Sequence, residues 1–159
     1  MIWAAIFIVI LCFAGVLLFG APYLPTLKTQ QQEALKLLDL KPGQTLLELG
    51  CGDGRVLLAA AKKGIYGVGY ELNPMLYIVA KVLTWHQRSL VKIHFGNFWV
   101  KKWPQANGIY VFLLQKYMQK LDKKIIQENC KNIKLVSYAF TVPGKRPLKE
   151  KKGMFLYTY

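Results

Sequence analysis

Two kinds of apolar pattern divide the chain. Residues 2–20 contain no charged residue and are rich in Ile, Leu, Val, Phe and Ala. A helix of that length spans about 28 Å at 1.5 Å per residue, enough to cross a bilayer core. Residues 21–27, Ala-Pro-Tyr-Leu-Pro-Thr-Leu, follow as a stiff linker, because two prolines fix their own φ and bias their neighbours toward extended shapes. Beyond the linker the apolar runs shorten and alternate with helical stripes. Thr29 and Gln32 have capping-box spacing ahead of Ala34, Leu35 and Leu38, and Lys41-Pro42-Gly43 ends that helix. Strands are predicted at 45–49, 65–71, 91–95, 109–114, 135–140 and 154–159. Between the first two, a helix over 54–63 turns Val56, Leu57 and Ala60 inward. Asn73-Pro74 opens the next helix, with Asn as N-cap and Pro in the first turn, and its predicted buried face is Met75, Ile78, Val79, Val82 and Leu83. A last helix buries Met118, Leu121 and Ile125 and exposes Lys116, Lys120, Lys123 and Lys124. Strand–helix alternation this regular predicts an α/β doubly wound sheet with right-handed crossovers and an abbreviated C-terminal edge. The expected organisation is a transmembrane anchor, residues 1–20, and one domain, residues 21–159.

The most informative decapeptide is Leu46-Leu47-Glu48-Leu49-Gly50-Cys51-Gly52-Asp53-Gly54-Arg55. A buried strand passes through glycines spaced Gly50-x-Gly52-x-Gly54 into a helix N-terminus, which lets a ligand approach the backbone. The second strand ends in Glu71, at the range from a glycine loop where an acid suits a ribose diol. The spacing departs from the Gly-x-Gly-x-x-Gly dinucleotide pattern. It resembles the nucleoside loop of class I S-adenosylmethionine methyltransferases.

Charge adds a surface to this picture. The chain has 22 Lys+Arg against 8 Asp+Glu, a formal charge of +14. Three of those acids, Glu48, Asp53 and Glu71, belong to the expected cofactor pocket, so the outer surface is basic. Anionic lipid headgroups are the expected partner, at about 1 kcal/mol per basic residue near the surface. Nucleic acid ranks well below. No Lys or Arg precedes the apolar run and no small-x-small site precedes Pro22, which favours a retained anchor over a cleaved signal. Basic residues begin only at Lys28, Lys36 and Lys41, so the positive-inside rule puts a single-pass anchor's catalytic domain in the cytoplasm. Cys12, Cys51 and Cys130 are unpaired in pattern, and His86 and His94 have no metal-ligand spacing, so free thiols and no metal are expected.

Methyl transfer is an in-line displacement that needs positioning and exclusion of water. An amine acceptor must be neutral, and taking a lysine from pKa 10.4 to pH 7 costs about 4–5 kcal/mol. Burial supplies part of that, and aromatic faces hold a cation without a fixed anion. Tyr23, Phe98, Phe112, Tyr138 and Phe140 are placed for such a role, with plain core packing as the alternative for each. Asn97, just past the third strand, is a candidate for the adenine amino group, or an ordinary turn residue. Val111-Phe112-Leu113-Leu114 lacks the Asp/Asn-Pro-Pro-aromatic motif common in methyltransferases of nucleic-acid base amino groups, which disfavours that substrate.

Pro22-Tyr23-Leu24-Pro25-Thr26, the glycine loop, Gly69-Tyr70-Glu71-Leu72-Asn73-Pro74, Gly96-Asn97-Phe98-Trp99 and Ser137-Tyr138-Ala139-Phe140 together carry a narrower likeness. The series resembles the lysine N-methyltransferases of the mitochondrial ATP synthase c-subunit and adenine nucleotide translocase, and their small archaeal protein-lysine methyltransferase relatives. That resemblance implies a Rossmann-like class I methyltransferase that moves methyl from S-adenosyl-L-methionine to a lysine of a membrane-associated protein. It implies catalytic roles for Tyr23, Thr26 and Phe112. It places the cofactor against Glu48, Gly50, Cys51, Gly52, Asp53, Gly54, Glu71, Leu72, Asn97 and Phe98. The family's Trp-x-Pro element after strand five is missing from Val142-Pro143-Gly144-Lys145-Arg146-Pro147. Methylation of a lipid headgroup or small molecule, and a non-catalytic cofactor-binding domain, are the competing functions.

Overall fold

The computed structural model describes Trp3 and residues 24–128 and 132–159. The expected anchor, Trp3 apart, and Cys12, Tyr23 and Cys130 lie outside the described residues. Among the described residues no helix is long and apolar enough to cross a membrane.

Among the described residues seven strands form one mixed sheet: β1 Thr45–Leu49, β2 Tyr66–Glu71, β3 Val91–Phe95, β4 Gly108–Val111, β5 Lys134–Tyr138, β6 Lys149–Lys151 and β7 Met154–Thr158, in the order β3-β2-β1-β4-β5-β7-β6. The first five are parallel, and β7 runs antiparallel between β5 and β6. Helices α1 Lys28–Leu38, α2 Arg55–Ala61 and α3 Pro74–Leu83 cover one face, and α4 Gln115–Gln127 covers the other. Alternation along the strands explains the two layers. Leu46 joins Leu35, Leu38, Leu57 and Ala60 in the first core, whereas Leu47, Leu49, Ile109 and Val111 meet Met118, Leu121 and Ile125 in the second. Residues 97–106 take the place of a helix on the second face, where Trp103 is buried. The Rossmann-like architecture is thus as the alternation predicts.

Local differences from the expected elements have physical causes. Helix α1 starts at Lys28, and the backbone N–H of Leu27 donates to the Gln30 side chain at 2.8 Å, so the reaching residue is Gln30 and not Gln32. Strand β4 stops at Val111, because residues 112–114 leave the sheet for the pocket and Leu114 becomes the N-cap of α4. Strand β5 stops at Tyr138, where Ala139 takes a left-handed φ of 68°. Helix α2 ends at Ala61, earlier than expected, and a turn closes on Gly64. The C-terminal edge holds a hairpin, because Lys152 and Gly153 both adopt positive φ and turn β6 back onto β7. Strand β6 is charged and wholly exposed, with no apolar alternation to betray it.

The largest correction concerns α3. Met75, Ile78, Val79, Val82 and Leu83 form one stripe at i, i+3, i+4, i+7 and i+8, and that stripe faces solvent. The inward face is made of small residues, Ala80 and Thr84. A Cβ on Gly54 would stand 3.1 Å from the Thr84 methyl and 3.5 Å from the Ala80 Cβ, so the helix lies tight against the glycine loop. Close approach of small side chains has won over burial of the large ones.

Candidate functional site

Strands β2 and β4 flank β1 on opposite sides, so the connections diverge and a crevice opens beyond the C-terminal ends of β1 and β4. The glycine loop occupies that crevice. Gly50, Gly52 and Gly54 all have positive φ. The amides of Gly50 and Cys51 donate to the Tyr70 carbonyl at 3.0 and 2.9 Å, which pins the loop to β2. In return β2 gives up side chains. A Cβ on Gly69 would lie 2.6 Å from Leu57 Cδ1 and 2.7 Å from Cys51 Sγ. The Cys51 thiol fills that space, and burial pushes it well above its ordinary pKa, as befits a packed spacer and not a nucleophile.

Glu71, at the end of β2, is buried and accepts two backbone N–H bonds at 2.8 Å, from Gly52 to Oε2 and from Asn73 to Oε1. Burial raises its carboxyl above the usual range, while these bonds and one from Leu72 pull it back. Glu48 projects from β1 opposite Tyr110 of β4. Its Oε2 is buried without a hydrogen-bond partner among the described residues, and burial, then the charges of Asp53 and Glu71, hold its carboxyl well above the usual range. Asp53 is tied to Arg55 by a short contact of 2.6 Å.

The pocket wall brings together most of the residues singled out from sequence: Thr26, Glu48, Gly50, Cys51, Gly52, Asp53, Glu71, Leu72, Asn97, Phe98 and Phe112. Gly54 does not line it, and serves α3 packing instead. Asn97 accepts from the Trp99 amide at 2.9 Å, so its turn-forming role is realised. Phe140 lines the pocket, whereas Tyr138 stands behind it, 4.7 Å from the Phe112 ring and hydrogen-bonded to Gln30.

Tyr110, Leu76, Trp99, Leu113, Leu114 and Tyr117 also line the pocket and were not singled out from sequence. Tyr110 matters most. Its hydroxyl meets the Thr26 hydroxyl at 3.3 Å in a buried contact, and burial raises its pKa. A tyrosine inside an otherwise aliphatic buried strand was the available signal.

A nucleoside cofactor carrying a diol and a positive charge fits these residues. Gly50 has open space where a Cβ would project, the unpartnered Glu48 oxygen and Glu71 supply acceptors, and Leu72, Leu76 and Phe98 give apolar walls. That combination suits S-adenosylmethionine, the methyl donor of such enzymes.

Comparison with known proteins agrees. Residues 48–149 match the family described as the ANTKMT methyltransferase domain. The chain is 30% identical over 128 residues to the lysine N-methyltransferase of the ATP synthase c-subunit from Homo sapiens, covering 79% of this chain and 54% of that protein. It therefore spans about half the length of that relative. It is 29% identical over 133 residues to a protein-lysine N-methyltransferase of Saccharolobus islandicus, covering 79% and 81% of the two chains. Among solved structures, an RNA methyltransferase from Salinibacter ruber in complex with S-adenosyl-L-homocysteine superposes with a TM-score of 0.77 at 27% identity, covering 84% of this chain and 91% of that one.

Proposed function

The chain belongs to the ANTKMT methyltransferase domain family, and on that premise we propose that it is a protein-lysine N-methyltransferase. The observation that carries this reading is a pocket that combines an acidic cofactor cradle with aromatic residues. Glu48 and Glu71 line it together with Tyr110, Phe112, Tyr117 and Phe140. When bound, S-adenosylmethionine supplies an electrophilic methyl group on a sulfonium. The chain's own task is to hold donor and amine in line and keep water out. Glu71 would hold the ribose, and the glycine loop would receive the methionine moiety. Thr26, held to Tyr110, and Phe112 shape the channel through which the lysine enters. Desolvation by the aromatic residues would favour the neutral amine, the ammonium giving its proton to bulk water as it enters, and the ring faces would tolerate the methylated cation afterwards.

Residues 2–20 are proposed to anchor the enzyme, with the domain on the cytoplasmic side. Leu24, Pro25 and Thr26 line the pocket, while the apolar run ends at Gly20. Four residues of extended chain reach at most about 14 Å. An anchored pocket would therefore sit at the membrane boundary, and its substrate lysine belongs to a membrane-associated protein.

RNA is the second reading, favoured by the Salinibacter structure and the formal charge of +14. Val111-Phe112-Leu113-Leu114 argues against a base amino group as acceptor. The test is methyl transfer from radiolabelled S-adenosylmethionine to membrane protein and to total RNA from the same cells, followed by mass spectrometry of the labelled fraction. Lysine mass shifts of one to three methyls, lost in Phe112→Ala, are the expected result. Label confined to RNA overturns the reading.

A further inference from the structure

We propose that the outward face of α3, with the turn that follows it, is a bilayer-contacting surface that seats the pocket mouth on anionic lipid. This rests on the membrane-anchored reading but assigns contact to a part of the folded domain. Six large apolar side chains, Met75, Ile78, Val79, Val82, Leu83 and Trp85, share this surface; Val82 is 68% exposed and Trp85 62%. They are contiguous, and Tyr77, Ile78, Lys81, Val82 and Trp85 line a shallow groove along it. Scattered exposed apolar residues are ordinary, but a continuous stripe this long marks an interaction surface.

Three observations select lipid as the occupant. The first is charge. Leu72 to Leu121 contain no Asp or Glu, while Lys81 lines the groove of the stripe and Arg88 lies over Trp85. An apolar face rimmed by Lys and Arg is the pattern of helices that lie in an anionic membrane interface. The second is Trp85, whose ring is covered by the Arg88 guanidinium at 4.8 Å, an amphipathic pair suited to headgroup depth. The third is position. Helix α3 begins just after Glu71 and Leu72, and Leu76 in its first turn lines the pocket, so the start of the stripe adjoins the pocket. Residues 24–26, next to the apolar run, line the same pocket.

The alternative occupants fit less well. Residues 2–20 have no polar face, so laying them over α3 would leave their own outer side apolar and bare. A second copy would bring a like charge of +14 against the basic rim.

The test uses the full chain and its Trp85→Phe variant, with vesicles of phosphatidylcholine alone or mixed with phosphatidylglycerol. Flotation reports anchoring. Quenching by lipids brominated near the headgroup end of the acyl chain, taken as the difference between the two proteins, reports Trp85. The expected result is a Trp85-specific quenching that grows with anionic lipid and falls at least twofold in Ile78→Glu/Val82→Glu. Both positions are exposed, and unchanged cofactor affinity verifies that the double variant is folded. If the chain floats but Trp85 is not quenched, anchoring stands and the surface proposal fails. If the chain neither floats nor is quenched, both fail. Protection of Trp85 from aqueous iodide without lipid would mean that residues 2–20 or a second copy cover the stripe, which overturns it. So would a double variant that methylates a detergent-solubilised protein substrate more slowly while its quenching is unchanged, since the face would then belong to a protein partner.

Discussion

Replacing Glu71 with Gln separates the loop clamp that the carboxylate forms from its proposed second job, holding the cofactor ribose. Each oxygen accepts a backbone N–H at 2.8 Å, from Gly52 and from Asn73, so the side chain clamps the glycine loop to the start of α3. In the amide one oxygen becomes an NH2 and faces a backbone donor. One bond is lost and a buried donor is left unmatched, a cost of about 1–3 kcal/mol in stability. The ribose is a second loss. Hydrogen bonds to a charged acceptor contribute about 1.5–3 kcal/mol, so S-adenosylmethionine should bind roughly 10- to 150-fold more weakly. Thermal melting of the empty protein reads the first effect, and titration calorimetry reads the second. There is a pH signature as well. Burial lifts the Glu71 carboxyl above its ordinary value, and the diol prefers the ionised form. Wild-type affinity should therefore weaken as pH falls toward that raised pKa, while the Gln variant stays flat. A variant with a lower melting temperature and unchanged affinity would falsify the ribose assignment and leave Glu71 as a loop clamp alone.

Three further substitutions probe the same architecture. Glu48 has a folded pKa raised above 4.5, so the empty protein should lose stability as pH rises through the interval between the two values; Glu48→Gln should melt higher at neutral pH and flatten that slope, and identical melting profiles would contradict it. Gly69→Ala places a Cβ 2.9 Å from the Cys51 Cβ, an overpacking of about 1–3 kcal/mol that urea unfolding measures, with cofactor affinity falling as the loop is displaced. Thr26→Val leaves the buried Tyr110 hydroxyl without its partner, about 1–3 kcal/mol in stability, and should lower kcat on a lysine peptide more than it changes cofactor affinity.

What could be read from sequence was what is local. The glycine loop, Glu48, Glu71 and the Asn73-Pro74 helix start are encoded within a few neighbours, and the Asn73 side chain does accept from the amides of Met75 and Leu76. Tyr110 escaped because its importance depends on β4 lying beside β1, which puts it opposite Glu48. The α3 stripe was misread because helical periodicity identifies an apolar face without saying what it meets. Nor does the string reveal that Gly54, Ala80 and Thr84 pack together. Strand β6 left no trace, since three charged residues at a sheet edge owe their conformation to the Lys152-Gly153 turn and to β7.

Helix α1 has a bearing on the order in which the domain is assembled. Glu33, buried on its inner side, is gripped by Lys151 and Lys152 of the C-terminal hairpin as well as by Lys36. Gln30 reaches Tyr138, and the Lys134 ammonium caps the Leu38 carbonyl at 2.8 Å across 96 residues of chain. An early helix is thus fastened largely by late partners. As a nascent chain leaves the ribosome, α1 can pack on β1 and α2, but its polar ties form only once β5 and the hairpin are made, and they complete the fastening of the segment that carries Thr26. The wall of the pocket nearest the proposed anchor is then the last to close. A chain that has not yet made that hairpin would have its glycine loop sequence in place while the Thr26 wall of the pocket is still unfastened.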